Sequence, residues 1–69
     1  MPLFLAEQGI PQTVMRVGGT AEVRQFLENL GVTIGSSITV ISNTTSGLIV
    51  NIRETRLAIS HEMATKIII

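Results

Sequence analysis

Thr20 to Ile41, TAEVRQFLENLGVTIGSSITVI, most limits what this chain can fold into, because a helix signal, a glycine stop and an alternating strand follow with no room for a linker. Val23, Phe26, Leu27 and Leu30 recur at i, i+3, i+4 and i+7, which predicts an amphipathic helix with these side chains on its core face. Glu22, Arg24, Gln25, Glu28 and Asn29 take the opposite face. Thr20 is placed to cap the first turn, and Glu22 follows where the helix dipole favours a negative charge. Gly31 supplies the stop, with Val32 expected to fold back on Leu27 in a Schellman ending. Arg24 and Glu28 form a weak i,i+4 pair in the less favourable order.

The chain has 69 residues and no cysteine, so disulfide bonds, thiolate metal sites and cysteine nucleophiles are all excluded. Residues 1–69 are read as one small domain that depends on aliphatic packing for its stability. Its apolar residues are mostly Ile, Val and Leu, with two Phe and neither Tyr nor Trp, which favours β structure over a helical bundle. Five basic and five acidic side chains cancel, so there is no basic surplus of the kind a nucleic-acid footprint needs. The first residues, MPLFLAEQG, lack the basic start of a secretory signal, and no apolar run approaches the roughly 18 residues of a spanning helix. A soluble, cytoplasmic chain without direct membrane insertion is expected.

Along the chain, Pro2 to Ala6 reads as an apolar arm and Gln12 to Val17 as the first strand, with Met15 breaking its alternation. Gly18 and Gly19 end that strand, and Thr33 to Ser36 form a turn after the helix. Ser37 to Ser42 alternates, with Ile38 and Val40 on one face. Asn43 to Gly47 suits a hairpin loop, and Leu48, Val50 and Ile52 share the inner face of the next strand. A tight turn at Arg53 to Thr55 leads to Arg56–Ser60 with Leu57 and Ile59 inward. Ser60 is placed to cap a single helical turn, and Lys66 to Ile69 closes the chain as a strand. The fold class is therefore mainly β with one or two short helices, a small barrel of about five strands whose closure protects its edges.

In this order the run RVGG (Arg16 to Gly19), the helix with Arg24, Leu27 and Leu30, then Gly31, Gly35, ITVI (Ile38 to Ile41), RLAIS (Arg56 to Ser60) and EMATKIII (Glu62 to Ile69) resembles the FeoA family. The likeness runs from about Leu3 to the end. It implies an SH3-like barrel and a cytoplasmic accessory role in bacterial ferrous-iron uptake. The implied partner is the cytosolic part of a FeoB-like permease with its GTPase domain. The alternative is the SH3-like C-terminal domain of a metal-dependent transcriptional repressor. Two positions depart from the family pattern: Ile34 stands where proline commonly precedes the turn glycine, and Asn43 to Gly47 lacks a proline. Binding details of those two loops are accordingly not carried over.

The inventory of reactive groups is thin. With one His and no Asp, Cys or Tyr, a Ser-His-Asp set is impossible and a Ser-His-Glu set would have to use His61. No catalytic residue and no cofactor are expected. His61 and Glu62 are the weak candidates for a metal, against the plainer reading of a solvated first turn. Gly18, Gly19 and Thr20 before a helix resemble half of a phosphate cradle, but the Walker lysine is missing and loop closure explains them. Arg16, Arg53 and Arg56 are read as solvated rather than as a ligand cleft. Proline-rich ligands need aromatic grooves, and Phe4 and Phe26 are the only aromatics, with Phe26 assigned to the core.

Pro2, Leu3, Phe4, Leu5, Ile10, Ile34, Ile41, Ile49 and Ile68 exceed what one strand face and one helix face absorb. Either barrel closure and the arm bury them, or they form an interface, which a homodimer would also use. Phe4, Leu5, Arg24, Ile34 and Ile49 are the residues expected to face a partner.

Overall fold

The alternation of Leu48, Val50 and Ile52 is realised as β4 (Gly47–Ile52), the centre of the molecule, where all three side chains are buried and Ile49 and Asn51 lie on the other face. It pairs antiparallel on one side with β3 (Ser37–Thr44) and on the other with β5 (Thr55–Ile59). The structure, a computed structural model, describes residues 1–69. β3 carries Ile38 and Val40 inward, continues two residues further than its alternation predicts, and slips register between Val40 and Ser42, so Ile41 is the extra residue of a bulge.

One expectation fails at the first strand. Gln12 to Val17 is two strands: β1 (Gln12–Thr13) pairs with β3, and β2 (Arg16–Val17) pairs with β6 (Ile67–Ile68). Between them Val14 is buried, bonded to Ser36 and Gly35, while the Met15 amide already donates to Ile68. The change of sheet explains why Met15 breaks the alternation: it is the hinge where the backbone trades one partner strand for another. The result is a sheet in the order β1-β3-β4-β5 and a β2-β6 ribbon, six short strands where about five were expected. Two short helices complete the mainly β, SH3-like architecture.

Helix α1 (Ala21–Asn29) is bounded as its sequence indicates. The Thr20 hydroxyl accepts from the Val23 amide at 3.3 Å. At the other end Gly31 has φ +96°, its amide donates to Glu28 and the Val32 amide to Leu27, both at 2.9 Å, which completes the Schellman ending. The core face is narrower than predicted. Leu27 is fully buried and Val23 partly, but Phe26 is 48% exposed, which corrects its assignment to the core. Leu30 is partly buried as well, so of the four predicted core positions only Leu27 is fully enclosed.

Helix α2 (His61–Lys66) starts at Ser60, whose Oγ accepts from the Met63 amide at 3.1 Å. The expected apolar arm is a 3-10 turn over Leu3–Leu5 that plugs the barrel beside α2, with Leu3 wholly buried. Thirteen residues form the core and every one is apolar. Gly47 is fixed by a backbone approach, since a Cβ there would lie 2.5 Å from the Ile59 carbonyl oxygen.

Candidate functional site

The surplus apolar residues divide once the fold is built. Leu3 enters the core; Pro2, Phe4, Ile41, Ile49 and Ile68 are half-buried; Leu5, Ile10 and Ile34 remain exposed. Ile34 is the extreme at 72% exposure. It sits on the turn after α1 because Thr33 to Ser36 closes tightly, with the Ser36 amide donating to Thr33 and Gly35 at φ +91°.

The five residues expected to face a partner do not form one patch. Phe4 lies at the far end of β3, where its carbonyl accepts from the Asn43 side chain at 2.9 Å. Ile34 adjoins the beginning of the same strand at Ser37. The six residue steps from Ser37 to Asn43 separate these ends by about 20 Å. Leu5 goes with Phe4, Ile49 is on the outer face of β4 opposite Ala58, and Arg24 is on the exposed side of α1. Sequence reasoning missed Met15, 63% exposed, and Phe26 as exposed apolar residues. The broken alternation at Met15 was the available signal for the first.

Around Ile34 an open depression of about 400 Å³ is lined by Thr33, Ser36, Ser37 and Arg53. Its hydroxyl protons are partly spent internally: Ser36 Oγ donates to the Gly31 carbonyl at 3.2 Å and lies 2.7 Å from Thr33 Oγ1. Those two hydroxyls keep lone pairs that can accept, and Arg53 adds donors to the same depression, a mixed polar rim. A second hollow of about 180 Å³ lies between the helices, walled by Val23, Ser60, Glu62, Met63 and Lys66.

The His61 ring is committed. Its Nε2 meets the Thr44 carbonyl and so ties the start of α2 to the β3–β4 hairpin. Glu62 is exposed beside it, and nowhere do three His, Cys, Asp or Glu side chains come together. The glycines before α1 are equally engaged: the Gly18 amide donates to the Lys66 carbonyl at 2.7 Å, and the Thr20 hydroxyl is occupied by Val23. Loop closure and capping account for them. Arg53 and Arg56 share the β4–β5 hairpin, whereas Arg16 belongs to β2 in the other sheet. No helix is long and apolar enough to cross a membrane.

Among solved structures, the crystal structure of an iron uptake regulatory protein, FeoA, is 28% identical; the match covers 97% of this chain and 91% of that one, with a TM-score of 0.89. Stenotrophomonas maltophilia FeoA, complexed with zinc and described as a prokaryotic SH3 domain protein, is 19% identical over 99% of this chain and 87% of its own, with a TM-score of 0.84. A manganese-dependent transcriptional repressor shares the fold at 17% identity and a TM-score of 0.87; 97% of this chain is covered, but only 39% of the repressor. No curated protein matches by sequence. The model of the FeoA domain matches residues 1–69. The helix, glycine turn and strand from Thr20 to Ile41, the SH3-like sheet around them and this full-length match agree: the chain belongs to the FeoA family.

Proposed function

We propose that this protein is a non-enzymatic accessory of ferrous-iron uptake that acts in the cytoplasm by docking on the cytosolic part of a FeoB-like GTPase permease. The observation that carries the reading is the family match over residues 1–69. The reactive inventory supports it: one His, already bonded to a backbone carbonyl, and no Asp, Cys or Tyr offer no set for acid–base or nucleophilic work. What the surface does offer is binding, through Ile34 with its mixed polar rim, the Phe4–Leu5 turn, Ile49 and Arg24. An accessory of this kind regulates by binding one state of the permease more tightly than another, since only differential affinity shifts a conformational balance.

The test is titration of the labelled protein with the cytosolic domain of its permease. Micromolar binding with shifts at Ile34, Leu5 or Ile49 is expected, and absence of binding overturns the docking. Iron added alone gives the second arm: shifts limited to His61 and Glu62 would make the protein a metal carrier or sensor instead. The repressor-domain reading rests on the shared fold, with the match covering 39% of a repressor. A gel shift at low salt would expose any nucleic-acid binding.

A further inference from the structure

Most strand edges in this molecule are covered by its own backbone. The outer side of β3 is met by β1 and, beyond it, by the Gly9 amide, which donates to the Val40 carbonyl at 2.8 Å. Ile68 of β6 is flanked by Arg16 on one side and by a bridge to Pro2 on the other. The outer side of β5 is the longest uncovered edge, the others being the outer sides of the two-residue strands β1 and β2. β5 ends the four-stranded sheet, and none of the 15 backbone hydrogen bonds made outside regular elements involves a residue from Arg53 to Ile59 except through the Ile59 partners already within the sheet.

The turn fixes which groups are open. Arg53 and Glu54 have φ of 51° and 68°, so the two-residue turn is type I′ and Ile52 and Thr55 form its closing hydrogen-bonded pair. Antiparallel pairs alternate, so Val50–Leu57 and Leu48–Ile59 also exchange bonds, whereas Asn51–Arg56 and Ile49–Ala58 do not. The N–H and C=O of Arg56 and Ala58 therefore point away from β4. This edge has no proline and no bulge to blunt it.

The side chains say what would cover it. Arg56 and Ala58 lie on the outer face with Ile49 and Asn51, opposite the buried Val50 and Leu48. Ala58 carries only a methyl group, and beside it an open depression of about 270 Å³ is walled by Ile49 and the hairpin residues Thr44 and Ser46. A strand laid along β5 sets alternate side chains on this face. The one opposite Ala58 has room for a bulky apolar group against Ile49, and the one opposite Arg56 meets a guanidinium.

We propose that β5 is a strand-addition site for an extended segment of a partner polypeptide, which pairs with Arg56 and Ala58 through its backbone and places an apolar residue opposite Ala58 and a carboxylate opposite Arg56. A second copy of β5 is a poor occupant. Paired about Leu57 it sets Arg56 of one copy against Ala58 of the other, which brings a charged side chain to the apolar depression and leaves the guanidinium without an anion; the neighbouring registers set Arg56 or Ala58 against itself. The inference rests on the docking reading above and names the manner of contact.

The test is amide hydrogen exchange on the whole chain with two probes: the peptide acetyl-Thr-Thr-Ile-Thr-Glu-Thr-Thr-amide, and the cytosolic domain of the permease. At saturation the Arg56 and Ala58 amides slow roughly tenfold or more, while Thr55, Leu57 and Ile59, already bonded to β4, do not change. Ala58→Pro removes an outward N–H that β4 does not use and weakens peptide binding about tenfold. Arg56→Glu leaves the backbone intact and transfers preference to the peptide with Lys in place of Glu. Unchanged exchange at Arg56 and Ala58 with both probes overturns the proposal. If the permease binds without slowing these amides, strand addition fails and docking stands; if the peptide slows them and the permease does not bind, docking fails and the edge stands. Protection that rises with the concentration of the protein alone would make a second copy the occupant and overturn the choice of partner.

Discussion

The two helices are held in opposite ways. α1 has nine residues, a hydroxyl cap at its start and a full Schellman ending, yet it buries only Leu27 completely. α2 has six residues and a single cap, but its first side chain bonds the hairpin carbonyl of Thr44, its Lys66 carbonyl accepts from Gly18, and Ala64 is wholly buried as the helix packs on the Leu3–Leu5 turn. Both are far shorter than the roughly 12–15 residues at which a helix becomes marginally stable alone. The first compensates by satisfying its own ends and needs one anchor from the core. The second is assembled by its neighbours.

The sharpest test of that contrast removes the anchor. Leu27→Ala deletes the one fully buried side chain of α1 and is expected to cost about 2–5 kcal/mol. In a domain whose core supplies only about 3–5 kcal/mol this approaches unfolding, which urea titration followed by circular dichroism will show. A mild loss would mean that α1 stands on its caps. Ala64→Leu probes the opposite case, because α2 is seated by close fit. Forcing a larger side chain into a site with no exposure should cost about 1–3 kcal/mol in the same titration, and wild-type stability would show that α2 is only loosely placed.

The caps come next. Thr20→Ala and Ser60→Ala should each lose about 1 kcal/mol, read by thermal melts. Hydrogen exchange separates them: loss of the Thr20 cap frays the first turn of α1 alone, whereas loss of the Ser60 cap loosens α2 and, through His61, the hairpin at Thr44. The smallest effect is expected at Phe26. With this ring half exposed, Phe26→Ser should change stability by about 0.5 kcal/mol, and a loss of about 3–5 kcal/mol would restore the sequence-based assignment to the core.

Phe26 also marks where the sequence stops being legible. Its spacing with Val23, Leu27 and Leu30 is correct for a helix face, but spacing gives the direction of a side chain and not the width of what lies opposite. Gln12 to Val17 shows the same limit for strands. Side-chain alternation carries no information about which strand the backbone bonds to, so a six-residue run that serves two sheets looks like one interrupted strand. β4 was legible because it is central: paired on both sides and buried on one face, it has a plain alternation from Leu48 to Ile52. For the candidate site, the sequence identified the apolar surplus. It did not separate Leu3, which becomes core, from Ile34, which stays outside, because the arm's fate depends on the opening it plugs.

The local devices could be read from the residues alone: the Thr20 and Ser60 caps, the Gly31 and Gly35 turns, the inward faces of β3 and β4, and the order of pieces that marks the FeoA family. These depend on contacts a few residues apart, where steric and hydrogen-bonding preferences act without reference to the rest of the chain. The exchange of sheets at Met15, the anchoring of His61 on Thr44 and the open edge of β5 emerge only when the chain is folded. Each of these turns on whether a backbone group finds a partner across the fold, and backbone groups are the same in every residue but proline.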